Sequence, residues 1–272
     1  MFDVHFHPRA YLAATKKLQD DNPLLSNDPL LALPANYLGC ASLHDRADWQ
    51  TWQVLSGSYP GICAGFGRHP QQVDPAKPNE DDEGLSFIET LAGQGLLQAV
   101  GECGYDFFDG RTHELEEAQD RVFLSQVARA IRFGLPLVVH LRKATDLMFR
   151  HVRVLKRCKA VVFHSWPGPV NEARSLLEQG VNAYFSFGTP LLWNARKACA
   201  CVAALPLERL VAETDAPWQP VRGKEITGPL DLVAVYQKLA SLRGLPVQTL
   251  VPVLYQNAIN ALSMSDLLLK IG

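Results

Sequence analysis

Residues 136–140 read Pro-Leu-Val-Val-His and residues 160–164 read Ala-Val-Val-Phe-His, and these two runs decide the fold. Each is apolar at almost every position until it ends on a histidine. A half-exposed strand alternates apolar and polar residues, whereas a parallel strand covered on both faces is apolar throughout. Working outward from Leu137–His140 and Val161–His164, similar runs recur at Phe2–His5, Leu38–Ser42, Ile62–Phe66, Gln98–Glu102, Ala183–Phe185 and Leu210–Glu213. Helical spacing fills the gaps, as in Leu85, Ile88 and Leu91, or Leu115, Val122, Val127 and Ile131. Gly134-Leu135-Pro136 stops the longest of these segments and feeds the next strand. Eight strands alternating with helices predict an α/β fold, a single TIM-type (β/α)8 barrel, which takes about 250 residues. The chain has 272, so one domain over residues 1–272 is expected, closed by two helices around Leu230–Leu242 and Leu250–Leu262. Asp20–Pro34 and the acidic stretch Gln71–Glu83 read as solvated loops.

A hydrophobic content of 47% with 20% charged residues gives an ordinary core and excludes disorder. The formal net charge of -2 excludes the large basic excess of a protein that wraps duplex DNA, so any nucleic-acid contact is expected to be local. Six cysteines without a CxxC pair are too sparse for a disulfide scaffold, and Cys199 and Cys201 alone close no metal site; all read as buried free thiols. No apolar stretch approaches the ~20 residues that cross a bilayer, and the opening residues carry no secretory pattern, so a cytoplasmic protein without membrane contact is expected.

The polar residues carry the function. His5, His7, His69, His140 and His164 lie at or just past strand ends, and Glu102 and Asp215 take the same place on two others. In a TIM barrel that face is the active face, because the loops after the strands converge there. His44, His113 and His151 fall in loops or helices and read as ordinary surface residues. His5 and His7 are two apart, which aims both to one side of a strand, and Asp3 shares the spacing. Imidazoles mixed with carboxylates suit Zn²⁺, Mn²⁺ or Fe²⁺, and open water positions also admit Mg²⁺. A carboxylate between two such ions can bridge them about 3.5–4 Å apart.

The ordered blocks FDVHFHP, GFGRHP, VGECGYDFF, VVHLRKA, FHSWPG and VAETDAPW closely resemble the TatD family of metal-dependent hydrolases, from residue 2 to the closing LYQNAINAL. The resemblance implies two divalent ions (Mg, Mn or Zn). His5 and His7 would hold one with Glu102, which bridges to a second held by His140 and His164. Asp215 would bind or orient the attacking water and act as general base, so Asp215 and Glu102 are the expected catalytic residues. His69 and Arg142 would contact the anionic part of the substrate, while Gln119 and Phe123 would be structural. Two departures stand out: His164-Ser165-Trp166-Pro167-Gly168 stands where the family often has HCFSG, which puts Trp166 on the rim, and Thr227-Gly228-Pro229 falls where the family usually carries an asparagine before the proline.

Arg9, Arg68, Arg142, Lys143, Arg222 and Lys224 follow the strands on this face, with Tyr105, Phe107, Phe108, Trp166 and Trp218 among them. A local basic rim suits phosphate, and exposed rings can stack on unpaired bases. The leading expectation is a phosphodiesterase or deoxyribonuclease acting on single-stranded or frayed DNA. The alternatives are a metal-dependent amidase or esterase on a small phosphorylated or carbonyl substrate, or on an aminoacyl-tRNA-type ester, and a metal-binding protein without turnover. A monomer suffices, since one chain supplies every expected ligand.

Overall fold

The runs read as strands pair in chain order. A computed structural model of the protein describes residues 1–21, 33–108 and 112–264, with the backbone alone for 112–114. Its strands are β1 (Asp3–Phe6), β2 (Gly39–Leu43), β3 (Ile62–Phe66), β4 (Ala99–Asp106), β5 (Leu137–Arg142), β6 (Val161–Phe163), β7 (Ala183–Phe187) and β8 (Leu210–Ala212). Each runs parallel to the next in a single eight-stranded sheet. The helices between and after them are α1 (Pro8–Asp21), α2 (Arg46–Ser58), α3 (Pro78–Gly93), α4 (Thr112–Phe133), α5 (Leu147–Arg150), α6 (Val152–Leu155), α7 (Val170–Glu178), α8 (Arg196–Ala204), α9 (Asp231–Arg243) and α10 (Val247–Leu262). The architecture is the TIM-type α/β barrel expected from the strand pattern.

Period-two alternation sorts the strand residues into two cores. Leu137, Val139 and Leu141 of β5 and Val161 and Phe163 of β6 face the helices, in one buried cluster. Val138 and Val162 join Cys40, Cys63, Ala99, Tyr184 and Val211 in a second cluster, completed by Ala258, Ile259 and Leu262 of α10. This second cluster fills the barrel. His140 and His164 share the faces of Val138 and Val162, one layer further along, so the same alternation that packs the interior delivers both rings to the mouth.

The barrel closes between its first and last strands through residues of the expected site. The His7 N–H donates to the Ala216 carbonyl at 2.8 Å, and the Asp215 N–H donates to the His5 carbonyl at 3.0 Å. Asp3 latches the same seam. Its Oδ1 accepts from the Thr214 N–H at 2.9 Å, and its Oδ2 accepts from the Thr214 hydroxyl at 2.6 Å and from the Tyr37 hydroxyl. Asp3 therefore does not join His5 as a ligand. The pairing of β1 with β2 shifts register between Asp3 and Phe6, which breaks the simple two-residue alternation. Burial pushes the Asp3 carboxyl up to about 7 despite these bonds.

The stretch 71–83 is not one loop. Pro70–Gln72 form a 3-10 turn and α3 begins at Pro78. Asp81, on the first turn of α3, is buried and accepts from both Arg68 (2.9 Å) and Arg121 (3.1 Å). The acidic character belongs to a helix start, where carboxylates favour the positive end of the dipole. Asp20 and Asp21 end α1, and the expected loop beyond them falls largely on 22–32, outside the described residues. The six thiols are free, and only Cys199 is partly accessible. No described helix is long and apolar enough to cross a membrane.

Candidate metal centre

Glu102 sits at the centre of the mouth because β4 is built to come close to β5. Gly101 and Gly104 flank it at φ +133° and +139°, values that disfavour a side chain. A Cβ on Gly101 would stand 2.3 Å from the Val138 carbonyl oxygen, and one on Gly104 would stand 2.1 Å from that of His140. Removing both side chains lets the two strands approach and sets the Glu102 carboxylate against His140.

The two oxygens of Glu102 face different groups. Oε1 lies 2.6 Å from His140 Nδ1, 2.6 Å from His164 Nε2 and 3.4 Å from His69 Nε2. Oε2 lies 3.3 Å from His5 Nε2, 3.8 Å from His7 Nε2 and 3.5 Å from His44 Nε2. Asp215 joins the second group, with Oδ1 3.3 Å from His7 Nε2 and 3.7 Å from His5 Nε2. The His5 and His7 Nε2 atoms approach to 3.2 Å. Burial works against a charged Glu102, but His164, His69, His5 and His140 surround it and hold its carboxyl well below the ordinary range. Burial likewise opposes the Asp215 carboxylate, and His7, His164 and His5 outweigh it and keep the pKa low.

The donor set fits divalent cations. Among the described residues, four triads of ligand atoms fall within metal-holding reach of one another: His5-Glu102-His164, His5-His7-Asp215, His7-His44-Glu102 and His69-Glu102-His140. Ring partners show which nitrogens are free to bind, since an imidazole that donates from one nitrogen offers a lone pair at the other. His140 Nε2 is 3.1 Å from Asp106 Oδ2, so this nitrogen donates, and in the neutral ring the Nδ1 lone pair would be left for an ion shared with Glu102. Metal-bound histidines are commonly held by a carboxylate in this way. His164 Nδ1 is 3.7 Å from Glu213 Oε1, with Nε2 toward the centre.

His44 and His151, both read as surface residues, sit differently from expectation. His44, read as a surface residue, is half-buried, and its Nδ1 lies 3.1 Å from the Gly67 carbonyl oxygen, to which it donates. Its Nε2 lone pair therefore points at Glu102, the orientation of a ligand. The signal lay in the strand end: β2 runs to Leu43, one residue beyond the expected boundary, so His44 directly follows the carboxyl end of its strand, on the face where the other site histidines gather. His69 shows the opposite arrangement. Its Nδ1 accepts from the Gln71 N–H at 3.1 Å, and burial pushes its pKa down to about 4. His69 is thus a neutral ring with its Nε2–H aimed into the mouth. His151 is also no surface group; its Nε2 meets the Tyr105 hydroxyl at 2.9 Å and Asp120 Oδ1 at 2.8 Å. The side chain of His113 lies outside the described residues.

The mouth opens as a cavity of about 900 Å3 lined in part by His7, His44, His69, Arg142, Asp215 and Trp218. Its basic rim is thinner than expected. Arg9 is paired with Asp45 (2.8 Å) and Asp48 (2.6 Å), Arg68 with Asp81, and Lys224 with Asp231. Arg142 remains open to solvent, its guanidinium 3.7 Å above the Phe108 ring. Trp166 does not reach the rim. It is 2% exposed and packs edge-on to Phe163 and Phe185. Tyr105 and Phe107 are also buried, while Trp218 (53% exposed) stands beside His7 with ring centres 6.3 Å apart. Gln119 and Phe123 are structural: the Gln119 amide accepts from the Asp106 N–H and donates to the Pro70 carbonyl, and the Phe123 ring is fully buried.

Residues 2–263 match the model of the family described as TatD related DNase. An uncharacterized metal-dependent hydrolase of Bacillus subtilis, YabD, is 32% identical over 208 residues, covering 74% of this chain and 77% of that one. A 3'-5' ssDNA/RNA exonuclease TatD of Erwinia amylovora is 31% identical over 195 residues, covering 68% and 72%. The crystal structure of YJJV, a TatD homologue from Escherichia coli K12, superposes with a TM-score of 0.76 over 96% of this chain and 97% of that one, at 22% identity.

Proposed function

Because this chain belongs to the TatD-related DNase family and is a metal-dependent hydrolase, we propose that it cleaves phosphodiester bonds in single-stranded or frayed DNA with two divalent ions, Mg, Mn or Zn. The observation that carries this reading is the division of Glu102: Oε2 toward His5 and His7, Oε1 toward His140 and His164. His5, His7 and Asp215 would hold one ion and His140 and His164 the other, with Glu102 facing both groups. Bound ions supply Lewis acidity toward a phosphoryl oxygen and lower the pKa of water toward neutrality.

The protein's own groups do the rest. Asp215 is held as a carboxylate; its Oδ2 accepts from the Gln219 amide at 2.7 Å, and this fixes the carboxylate, with Oδ1 beside His7, to orient the attacking water and take its proton. His69, neutral with Nε2–H directed inward, donates to a substrate oxygen. Arg142, stacked on Phe108 at the edge of the mouth, holds a phosphate without entering the metal cluster. The exposed faces of Trp218 and Phe108 offer stacking surfaces for unpaired bases.

End-labelled single-stranded oligonucleotides incubated with Mg²⁺ or Mn²⁺ test this directly. Cleavage should stop on chelation, and Asp215→Asn should lose turnover by about 100-fold or more while keeping most of its bound metal. The pairing of Arg9, Arg68 and Lys224 favours a second reading, a compact carbonyl substrate such as an amide or ester. An enzyme that ignores DNA and RNA but hydrolyses such esters with the same ions replaces the first reading with the second.

A further inference from the structure

Beside the mouth lies a second cavity of about 210 Å3, and Ser165, Pro167 and Gln219 line both. It is larger than the ~30 Å3 share of one water and smaller than the ~300–1,000 Å3 that takes a whole ligand. Its walls are Trp166, Pro167, Phe187 and Pro190, and no Lys, Arg, His, Asp or Glu lines it among the described residues. Such walls cannot hold a phosphate. Ser186, fully buried on β7, also lines the cavity, and its hydroxyl has no hydrogen-bond partner. A buried hydroxyl left unmatched is costly, and a ligand that carries a ring donor or acceptor satisfies it.

The partition between the two cavities is a hydrogen-bonded bridge. The Gln219 side-chain amide donates to Asp215 Oδ2 (2.7 Å) and lies 3.0 Å from Ser165 Oγ, while the main-chain carbonyl of Gln219 accepts from the Thr189 hydroxyl at 2.6 Å. A group seated behind this bridge is one side chain away from Asp215. We propose that the side cavity seats the base of a nucleotide adjoining the scissile phosphate, an inference that rests on the phosphodiester reading of the mouth. The charged mouth takes the phosphate, and the uncharged, ring-walled cavity takes the flat heterocycle attached to it.

Single-stranded oligonucleotides that each lack one base, placed at successive positions from the cleaved end, test the assignment with the Mn²⁺-loaded enzyme. At one position, loss of the base should lower kcat/KM by about tenfold or more, the scale of one buried or stacked base. Ala195→Phe, which fills the cavity from a half-buried site at the start of α8, should reduce cleavage of the intact strand by a similar factor and respond no further to base removal. Ser186→Ala, which keeps the volume and removes the hydroxyl, should weaken the same preference, and it decides the matter if Ala195→Phe does not fold. An active wild-type enzyme that is indifferent to base loss at every position overturns the inference alone, as do folded variants that keep the full preference. A wild-type enzyme that cleaves no oligonucleotide overturns the phosphodiester reading and this inference with it.

Discussion

The two sides of Glu102 are built by different means. On the Oε2 side, His5 and His7 come from a single strand at the seam of the barrel, and their backbones bond to the Asp215–Ala216 segment that closes it. On the Oε1 side, His140 and His164 come from neighbouring strands within the continuous ladder, and carboxylates stand behind them: Asp106 at 3.1 Å and Glu213 at 3.7 Å. Closure of the chain positions the first side, while carboxylates behind the rings orient the second, Asp106 by a hydrogen bond to His140 and Glu213 by its charge beside His164. Mutations should therefore fail in different ways on the two sides.

The largest effect is expected where the sides meet. Glu102→Gln should lower turnover by about 1,000-fold or more and reduce bound metal at both positions, read by elemental analysis after dialysis. A variant that keeps two ions per chain would show that Glu102 does not join the sides. Next, His5→Ala and His140→Ala should each strip one ion and leave the other, with losses of roughly 100-fold in kcat. Loss of both ions from either variant would mean that the halves bind only together. A smaller difference separates the supports. Asp106→Asn should weaken metal binding by about 10–100-fold without unfolding the chain. Asp3→Ala should leave affinity within a few-fold and instead cost about 1–3 kcal/mol of folding stability in urea titration. The smallest expected change comes from His44→Gln, about 10-fold in affinity on the Oε2 side; a silent result would make His44 a packing residue.

The barrel was legible because its strands are short, apolar and parallel, and because an apolar run that stops on His or Glu marks its own carboxyl end. That pattern located His140, His164 and Glu102 without knowledge of their partners. His44 escaped because the reading ended β2 one residue early, and in a strand one residue changes which side chain stands at the mouth. The basic rim was overcounted for a different reason. Arg68 meets Asp81 and Lys224 meets Asp231 through turns that bring separate positions together, and charge in a sequence carries no label of its partner. Trp166 lies two residues after His164 at the mouth, yet its ring folds inward against Phe163 and Phe185, a direction that adjacency does not encode. Asp3 shows the same limit, since its two-residue spacing from His5 is undone by the register shift in β1.

The seam has a thermodynamic consequence. The same few residues that join the chain's beginning to its last strand also present His5, His7 and Asp215, so an incompletely closed barrel has no intact receptor for a cation on that side. Ions that bind only the finished form draw the population toward it, by about 2.7 kcal/mol when free ion stands at 100 times its dissociation constant. Heating curves should therefore shift upward with added Mn²⁺, making the ion a reporter of completed folding as well as a participant in hydrolysis.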